Sequence, residues 1–201
     1  GITRVTAEDI KYAAELNYVV KLLGIAKESE EGVEVRVHPA LLSKNHPLAT
    51  VNDVYNAIYV CGDAVGDVMF FGRGAGELPT ASAVVADVMS AARYQLRNVP
   101  GIISCTCFDE KPIKPMGLTS TKYYIRLNVA DKPGVLASIA FVFGSNEVSL
   151  ASVIQKQTTG HAAEIVLVTH RVLERNLQDA LKIIKDLSTV DEVSNVIRVE
   201  E

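Results

Sequence analysis

The apolar patterns of residues 121–201 follow an order that restricts the fold more than any other feature of the sequence. The strand-like segment "KYYIRLNVA" precedes "VLASIAFVFGSN", in which Val135, Ile139 and Val142 recur at helical spacing. "VSLASVIQKQ" and "AAEIVLVTH" are typical of two strands joined by a hairpin tip at residues 158–161. The amphipathic "ERNLQDALKIIKDLS" and a last strand, "VSNVIRVE", complete the unit. The order β-α-β-β-α-β is that of a split ferredoxin-like unit.

The first half of the sequence predicts a helix and a largely antiparallel sheet. Thr6, followed three residues later by Asp9, resembles a capping box and should begin a helix that ends near Asn17. A second helix is expected from about Pro79 to Arg97. Strand-like segments occupy residues 18–28, 33–39, 56–63 and 67–72. We expect these four strands to form one open sheet, so the fold class is α+β.

The segment between the two halves has the composition of a linker. Residues 98–120 contain three prolines and two glycines and show no clear periodicity, apart from one short strand expected at "IISCTCF". We therefore predict a domain over residues 1–97, a linker over 98–120 and a second domain over 121–201.

Composition restricts the classes of function. The net charge is −4 and no basic stripe occurs, which argues against nucleic acid as a partner. No apolar run approaches the ~18 residues of a membrane span. Three cysteines, Cys61, Cys105 and Cys107, without a signal peptide indicate a reducing, cytoplasmic setting.

The pair Cys105 and Cys107 could chelate a metal or form a redox couple. It lacks a second pair of ligands at zinc-finger spacing, and the neighbouring Asp109 and Glu110 are poor ligands for a structural zinc. We expect ordinary thiols in a linker and no metal.

The stretch "FFGRGAGELPTASAVVADV" leaves a strand, crosses three glycines and enters a helix. Gly72, Gly74 and Gly76 precede Pro79, which suits the first turn of a helix. Glycine lets the backbone approach a ligand closely, and the free N–H groups of a helix start favour an anion. The alternative is a tight connection that holds nothing. No Gly-Lys-Ser/Thr follows, so the stretch is not a P-loop.

The blocks around this loop resemble the distal catalytic-domain segment of homoserine dehydrogenases. "VHP…HPLA", "NAI…GDAVG" and "G-x-GAG-x-x-PTASAVV-x-D" occur in that family's order and spacing, and the resemblance covers residues 1 to about 96. Asp53 stands where the family more often has glycine. The resemblance implies that the loop borders the nicotinamide end of an NAD or NADP cleft. Gly76 would lie closest to the cofactor, with Gly74 and Ala75 beside it.

The same resemblance implies that the catalytic residues lie outside these 201 residues. In that family a Rossmann domain precedes the segment corresponding to "GITRVTAEDI", as does a catalytic segment with an Asp and a Lys on a helix. Asp9 and Lys11 do not match that catalytic motif, and we expect them to be solvated helix charges. We therefore assign no catalytic residue and expect the chain alone to be inactive.

The second unit, from about Tyr123 to Val199, resembles an ACT domain, a small-molecule-binding module of amino-acid metabolism. The stretch "YYIRLNVADKPGVLASIAFVFGSNEVSLASVIQ" carries its Asp-x-x-Gly-Val-Leu turn. The resemblance implies a small amino-acid effector, with threonine the best candidate by family analogy. Its expected contacts, partly across a dimer seam, are Asp131, Gly134, Val135, Leu136 and Asn146. The alternative is a turn that only caps a helix, in a domain that only dimerises.

Together the resemblances imply the C-terminal portion of a homoserine dehydrogenase with an ACT domain for feedback. That family interconverts L-homoserine and L-aspartate 4-semialdehyde with NAD or NADP, on the route to threonine, isoleucine and methionine. The choice between NAD and NADP stays open, because the residues that read the ribose belong to the Rossmann domain. A free-standing amino-acid-sensing module is the alternative function. We also expect a homodimer, because an open four-stranded sheet leaves edges to cover and the family pairs through this sheet.

Overall fold

The computed structural model describes residues 2–99, 101, 108–157 and 162–201. The predicted hairpin tip at 158–161, the two thiols of Cys105 and Cys107, and all but the last residue of the predicted linker strand lie outside these residues. The chain forms two compact units, one of Gly1–Lys44 with Lys111–Glu201 and one of Asn45–Glu110. The predicted boundaries at residues 97 and 120 divide the sequence differently and stay a prediction about domain organisation.

The helices and strands agree closely with the sequence patterns. In chain order they are α1 (Ala7–Glu15), β1 (Tyr18–Ser29), β2 (Gly32–Ser43), β3 (Tyr55–Gly62), β4 (Gly66–Arg73), α2 (Glu77–Leu96), β5 (Ser120–Ala130), α3 (Val135–Ser145), β6 (Leu150–Gln157), β7 (Ala162–Thr169), β8 (Val172–Leu173), α4 (Glu174–Lys185) and β9 (Val190–Glu200). Short 3-10 turns occupy Pro47–Thr50 and Met116–Leu118. No helix among the described residues is long and apolar enough to cross a membrane.

The first unit is built on one seven-stranded sheet. Its order is β1-β2-β9-β5-β7-β6, and the short β8 also pairs with β5. Strands β5, β7, β6 and β9 pair antiparallel, with α3 after β5 and α4 before β9, so the ferredoxin-like βαββαβ prediction and the α+β fold class are confirmed.

The four-stranded sheet predicted for the first half is wrong. The β1–β2 hairpin instead joins the second half of the chain, because β2 runs parallel to β9 and pairs Ala40 with Arg198 and Leu42 with Glu200. Residues 111–114, within the predicted linker, also pair with the start of β2: the Val33 N–H donates to the Pro112 carbonyl at 2.9 Å. Strands β3 and β4 form a separate two-stranded sheet.

Two apolar cores cover the two faces of the seven-stranded sheet. Alternate residues of a strand face opposite sides, and β5 shows this clearly, since Tyr123 and Ile125 pack in the core under α3 and α4 whereas Tyr124 packs in the core under α1. Val135, Ile139 and Val142, whose spacing predicts α3, are all buried.

The first half of strand β2 is half-buried, but its burial is the reverse of its hydrophobic pattern. Val35 and Val37 are 55% and 73% exposed, whereas Arg36 and His38 are each 8% exposed. In the interior, Arg36 forms an ion pair with Glu200 at 2.8 Å and a second one with Glu34, through its two Nη atoms. A buried charge with such partners can take the inward side of a strand that its valines would otherwise occupy.

The second unit consists of the β3–β4 hairpin followed by α2. The hairpin pairs Tyr55 with Arg73 at its open end and Gly62 with Gly66 at its turn. Among the described residues, none of the twenty residues of α2 is buried.

His38 makes the stability of the first unit depend on pH. Its Nδ1 hydrogen-bonds to the Pro39 carbonyl at 2.9 Å, its Nε2 has no partner among the described residues, and burial lowers the pKa of His38. The usual histidine pKa is about 6.5. Between this pH and the lower pKa of the folded state, His38 binds a proton in the unfolded chain but not in the folded chain. The free energy of unfolding should therefore fall as the pH falls from about 6.5 to the folded pKa.

Urea unfolding at pH 7 and at pH 5.5 measures this contribution. We expect a smaller loss of stability between the two values in His38→Gln than in the wild type. His170→Gln, at an exposed histidine, is the control and should behave as the wild type. An unchanged pH dependence in His38→Gln would contradict the assignment.

Candidate functional site

The glycine loop connects β4 to α2 and is tied back to the chain just before β3. The N–H groups of Gly74 and Ala75 both point to the Val54 carbonyl, at 3.2 and 3.4 Å. Gly76 is the N-cap of α2, and its carbonyl accepts from the Thr80 N–H at 3.1 Å. The structure therefore brings the three predicted cofactor residues, Gly74, Ala75 and Gly76, together at the head of a long helix.

Gly74 and Gly76 need to be glycine for different reasons. A Cβ atom on Gly74 would lie 1.6 Å from Nδ2 and 2.6 Å from Cγ of Asn56, so a side chain of the same chain fills that space. Gly76 has a φ of 131°, a conformation that L-residues rarely adopt, and its Cβ would lie 3.2 Å from Cδ of Pro79. Gly74 thus sets the shape of the loop, and Gly76 sets the entry into the helix.

The hydrogen-bond donors at the head of α2 are only partly used. Gly74 and Ala75 donate within the loop, whereas the N–H groups of Gly76, Glu77 and Leu78 find no acceptor in the part of the chain that the structure describes. The partial positive charge of a helix N-terminus adds to these donors. This end of α2 can accept an electron-rich group such as a carbonyl or carboxylate oxygen.

The predicted effector loop lies between β5 and α3. Gly134 is the N-cap of α3 with a φ of 88°, and a Cβ there would meet nothing within 4 Å, so the space beside the loop is open. The Val135 N–H points to the Lys132 carbonyl at 3.4 Å, whereas no acceptor for the Leu136 N–H occurs among the described residues. Asp131 is exposed beside them. Asp131, Gly134, Val135 and Leu136 are thus neighbours.

Asn146 is not brought to this loop within one chain. It lies beyond the other end of the eleven-residue α3, which is about 16 Å long at 1.5 Å per residue. Its Nδ2 donates to the Val142 carbonyl at 2.8 Å and so caps that end of the helix. An effector that touches both Gly134 and Asn146 would need the Asn146 of a second copy.

A buried charged cluster, which the sequence reasoning missed, fastens α1 to the sheet. Asp9 is 1% exposed, so the prediction that it is a solvated helix charge is wrong; Lys11 is exposed as predicted. Asp9 accepts hydrogen bonds from Arg126 Nε at 2.7 Å, from Asn195 Nδ2 at 2.6 Å and from the Tyr124 hydroxyl at 3.2 Å. An Arg inside the apolar run "KYYIRLNVA" was the available signal, since a buried Arg requires a carboxylate.

The rest of this cluster reaches a third strand of the sheet. Arg126 Nη1 donates to Glu164 on β7 at 2.7 Å, and the Tyr12 hydroxyl of α1 donates to the same carboxylate. The bond to Glu164, together with burial, raises the pKa of Tyr12 to about 12. Burial acts to raise the pKa of Asp9, but hydrogen bonds from Thr6, Asn195 and Arg126 outweigh it and hold the pKa below its usual value. Asp9 is therefore ionised at neutral pH.

Two family models and several relatives match the chain. Residues 1–89 match the homoserine dehydrogenase model, and residues 123–189 match the ACT domain model. Homoserine dehydrogenase of Synechocystis sp. is 44% identical over 208 residues, covering 99% of this chain and 48% of the relative. That of Bacillus subtilis is 39% identical over 202 residues, covering 100% of this chain and 47% of the relative.

Solved structures agree with this similarity. A homoserine dehydrogenase from Thiobacillus denitrificans superposes with a TM-score of 0.90 at 40% sequence identity, covering 100% of this chain and 47% of that one. A homoserine dehydrogenase from S. aureus gives a TM-score of 0.63 at 32% identity, covering 100% and 46%. The chain therefore spans about half the length of the curated relatives it matches and corresponds to their C-terminal portion.

The contact between Gly74 and Asn56 can be tested by substitution. Gly74→Ala should reduce the free energy of unfolding by roughly 1–3 kcal/mol, as overpacking does, because Asn56 must move away. Gly72→Ala is the matched control, since a Cβ there meets nothing within 4 Å. Urea unfolding followed by circular dichroism measures both. Equal effects of the two substitutions would show that Asn56 does not restrict Gly74.

Proposed function

We propose that this chain, a C-terminal portion of a protein of the homoserine dehydrogenase family, supplies part of the cofactor cleft and the effector domain of that enzyme. The whole enzyme would interconvert L-homoserine and L-aspartate 4-semialdehyde with NAD or NADP, in the cytoplasm. The observation that carries the proposal is the glycine loop at the head of α2. It lies within the residues that match the family model and leaves three N–H groups without acceptors in the described chain.

We infer different roles for the residues of the loop. Gly76 offers its own N–H and those of Glu77 and Leu78 to an electron-rich group, which suits the amide of a nicotinamide. Gly74 and Ala75 have their N–H groups bonded to Val54, so they shape the loop rather than donate to the cofactor. The protein's part in hydride transfer is to position cofactor and substrate, and these residues would do so from one side of the cleft.

Turnover assays test this proposal. The longer protein that contains these residues should oxidise homoserine with NAD or NADP, measured by the absorbance of the reduced cofactor. The 201-residue chain should show no turnover, since one loop cannot position both partners. Absence of activity in the longer protein would contradict the proposed function. Activity of the 201-residue chain alone would contradict the proposal that the catalytic residues lie outside it.

The ACT domain would make the enzyme sensitive to a small amino acid, and threonine is the proposed effector. Its carboxylate would accept hydrogen bonds from the N–H groups at Gly134 and Leu136, where the helix dipole favours negative charge. Its ammonium group would lie near Asp131, and its side chain near the Asn146 of a second copy. Inhibition would follow only if threonine binds two conformations with different affinity.

Support for a homodimer comes from exposed apolar surface and from the position of Asn146. On one face of the β1–β2 hairpin Leu22, Val35 and Val37 are more than half exposed, and in the second unit Ile58 and Phe70 are each 66% exposed. Apolar patches of this kind are typical of interaction surfaces. A dimer should sediment at twice the 21.7 kDa of one chain. The match of residues 1–89 to the enzyme family favours this function over a free-standing sensing module.

Calorimetry with threonine tests the effector site. The wild-type chain should bind threonine saturably at millimolar concentration. Asp131→Asn should bind at least about tenfold more weakly, because hydrogen bonds to charged groups contribute about 1.5–3 kcal/mol. This change is preferable to one at Gly134, whose positive φ would strain any other residue.

Asp191→Asn, at another exposed aspartate, is the control and should bind threonine as the wild type does. No heat at millimolar threonine would exclude the proposed effector. Equal affinity in Asp131→Asn would exclude the proposed site for its ammonium group.

A further inference from the structure

A polar cavity of about 250 Å³ lies between α4 and β9 in the first unit. Three cationic side chains line it: Arg4 from the segment before α1, Lys185 from the last turn of α4, and Arg198 from β9. These residues are far apart in the sequence, so the fold brings their charges together. None of the residues that line this cavity belongs to the predicted effector loop or the glycine loop.

One carboxylate, that of Glu174, also lines the cavity, and its bonding capacity is already used. Glu174 is 6% exposed and accepts hydrogen bonds from the Tyr123 hydroxyl at 2.5 Å, Arg198 Nη2 at 2.6 Å and Gln178 Nε2 at 2.8 Å. Burial acts to raise the pKa of Glu174, but these bonds outweigh it and lower the pKa. Glu174 is ionised at neutral pH, and its charge balances that of Arg198.

The positive charges of Arg4 and Lys185 are not balanced by a carboxylate among the described residues. Within the described part of the chain, neither side chain forms an ion pair or a hydrogen bond; only the backbone carbonyl of Arg4 is engaged, by Asn195 Nδ2 at 2.9 Å. The described residues that line the cavity therefore carry two positive charges in excess, in a chain whose net charge is −4. An excess of charge that converges on a concave surface raises the local concentration of anions.

Arg198 is held in place before any ligand arrives. Its Nε and Nη2 both donate to Glu174, and its guanidinium lies over the Tyr123 ring, 5.8 Å from the ring centre. Its Nη1 makes no hydrogen bond to the described residues and stays available as a donor. A guanidinium that is already fixed loses little conformational entropy on binding.

We infer that this cavity is a binding site for a small dianion, either a phosphate group or a dicarboxylate. The two excess charges of Arg4 and Lys185 match two negative charges, and Arg198 Nη1 supplies a directed hydrogen bond to an oxygen. The volume admits a ligand of a few heavy atoms, and a polyanion would need a basic surface extending beyond these three residues. The inferred anion site does not depend on the proposed enzyme function. A lack of anion binding would leave the proposed function unchanged.

Titration calorimetry at low ionic strength tests the site, with inorganic phosphate and with succinate as separate probes. The wild-type chain should bind at least one of them saturably, with one site per chain. The double variant Arg4→Gln/Lys185→Gln should bind that anion at least about tenfold more weakly, a loss of about 1.4 kcal/mol or more. Both residues are exposed, so the variant should keep the fold, which circular dichroism would verify.

Lys182→Gln is the matched control on the same helix. Lys182 is exposed, pairs with Asp179 at 2.8 Å and does not line the cavity, so its replacement should leave anion binding unchanged. Tighter binding of phosphate would identify a phosphorylated ligand, and tighter binding of succinate a dicarboxylate. No saturable binding of either anion would overturn the inference. An affinity of the double variant equal to that of the wild type would also overturn the inference. The measured heat would then report an adventitious ion only, bound elsewhere on the surface.

Discussion

The ion pair between Arg126 and Asp9 fastens α1 to the sheet of the first unit. Both residues are buried. Removing Arg126 would leave the Asp9 carboxylate without its cation, and removing Asp9 would leave Arg126 with the carboxylate of Glu164 alone among the described residues. Breaking a buried pair in this way costs about 3–5 kcal/mol. The pair joins α1 to β5, and together with the pairing of β2 and β9 it connects residues 1–44 to residues 111–201 within one unit. The predicted effector loop begins where β5 ends, so that loop and α1 are attached to the same strand.

A second group of charges fixes the β1–β2 hairpin to the same sheet. Arg36 Nη2 lies 2.8 Å from Glu200, and Lys27 Nζ lies 2.9 Å from the same carboxylate. Strands β2 and β9 share only three paired positions, which is a short contact for two strands. A buried ion pair can specify one register among several that backbone pairing would allow. We expect this pair to do so beside Leu42, the partner of Glu200 in the ladder.

The sequence predicts the helices and strands well, because each depends on local patterns. The spacing of Val135, Ile139 and Val142 and the capping box at Thr6 both act within a few residues, and both are observed. Pairing between strands that are far apart in the sequence has no such local pattern. The pairing of Ala40 with Arg198 joins strands about 160 residues apart, and nothing in "VEVRVHP" indicates that its arginine rather than its valines faces inward. A carboxylate at the start of a helix has the same sequence pattern whether it is solvated or buried, so the pattern around Asp9 does not predict its burial.

The candidate site could be located from sequence only in part. The resemblance to homoserine dehydrogenases predicts a cofactor contact at the glycine loop, and the ACT turn predicts an effector contact at the loop before α3. The sequence does not predict that Asn56 contacts Gly74 or that Arg4, Lys185 and Arg198 converge. In both cases the residues come from segments that are apart in the sequence and meet only in the folded chain.

A double-mutant cycle between Asp9 and Arg126 measures how strongly their ion pair holds α1 on the sheet. The free energies of unfolding of Asp9→Leu, Arg126→Met and the double variant would be compared with that of the wild type. We expect the double variant to lose less stability than the two single variants added together, with a coupling of about 2 kcal/mol or more. The exposed pair Lys182 and Asp179 serves as a reference and should couple by less than about 1 kcal/mol. Additive losses for Asp9 and Arg126 would contradict the claim that their pair holds α1 and the sheet together as one unit.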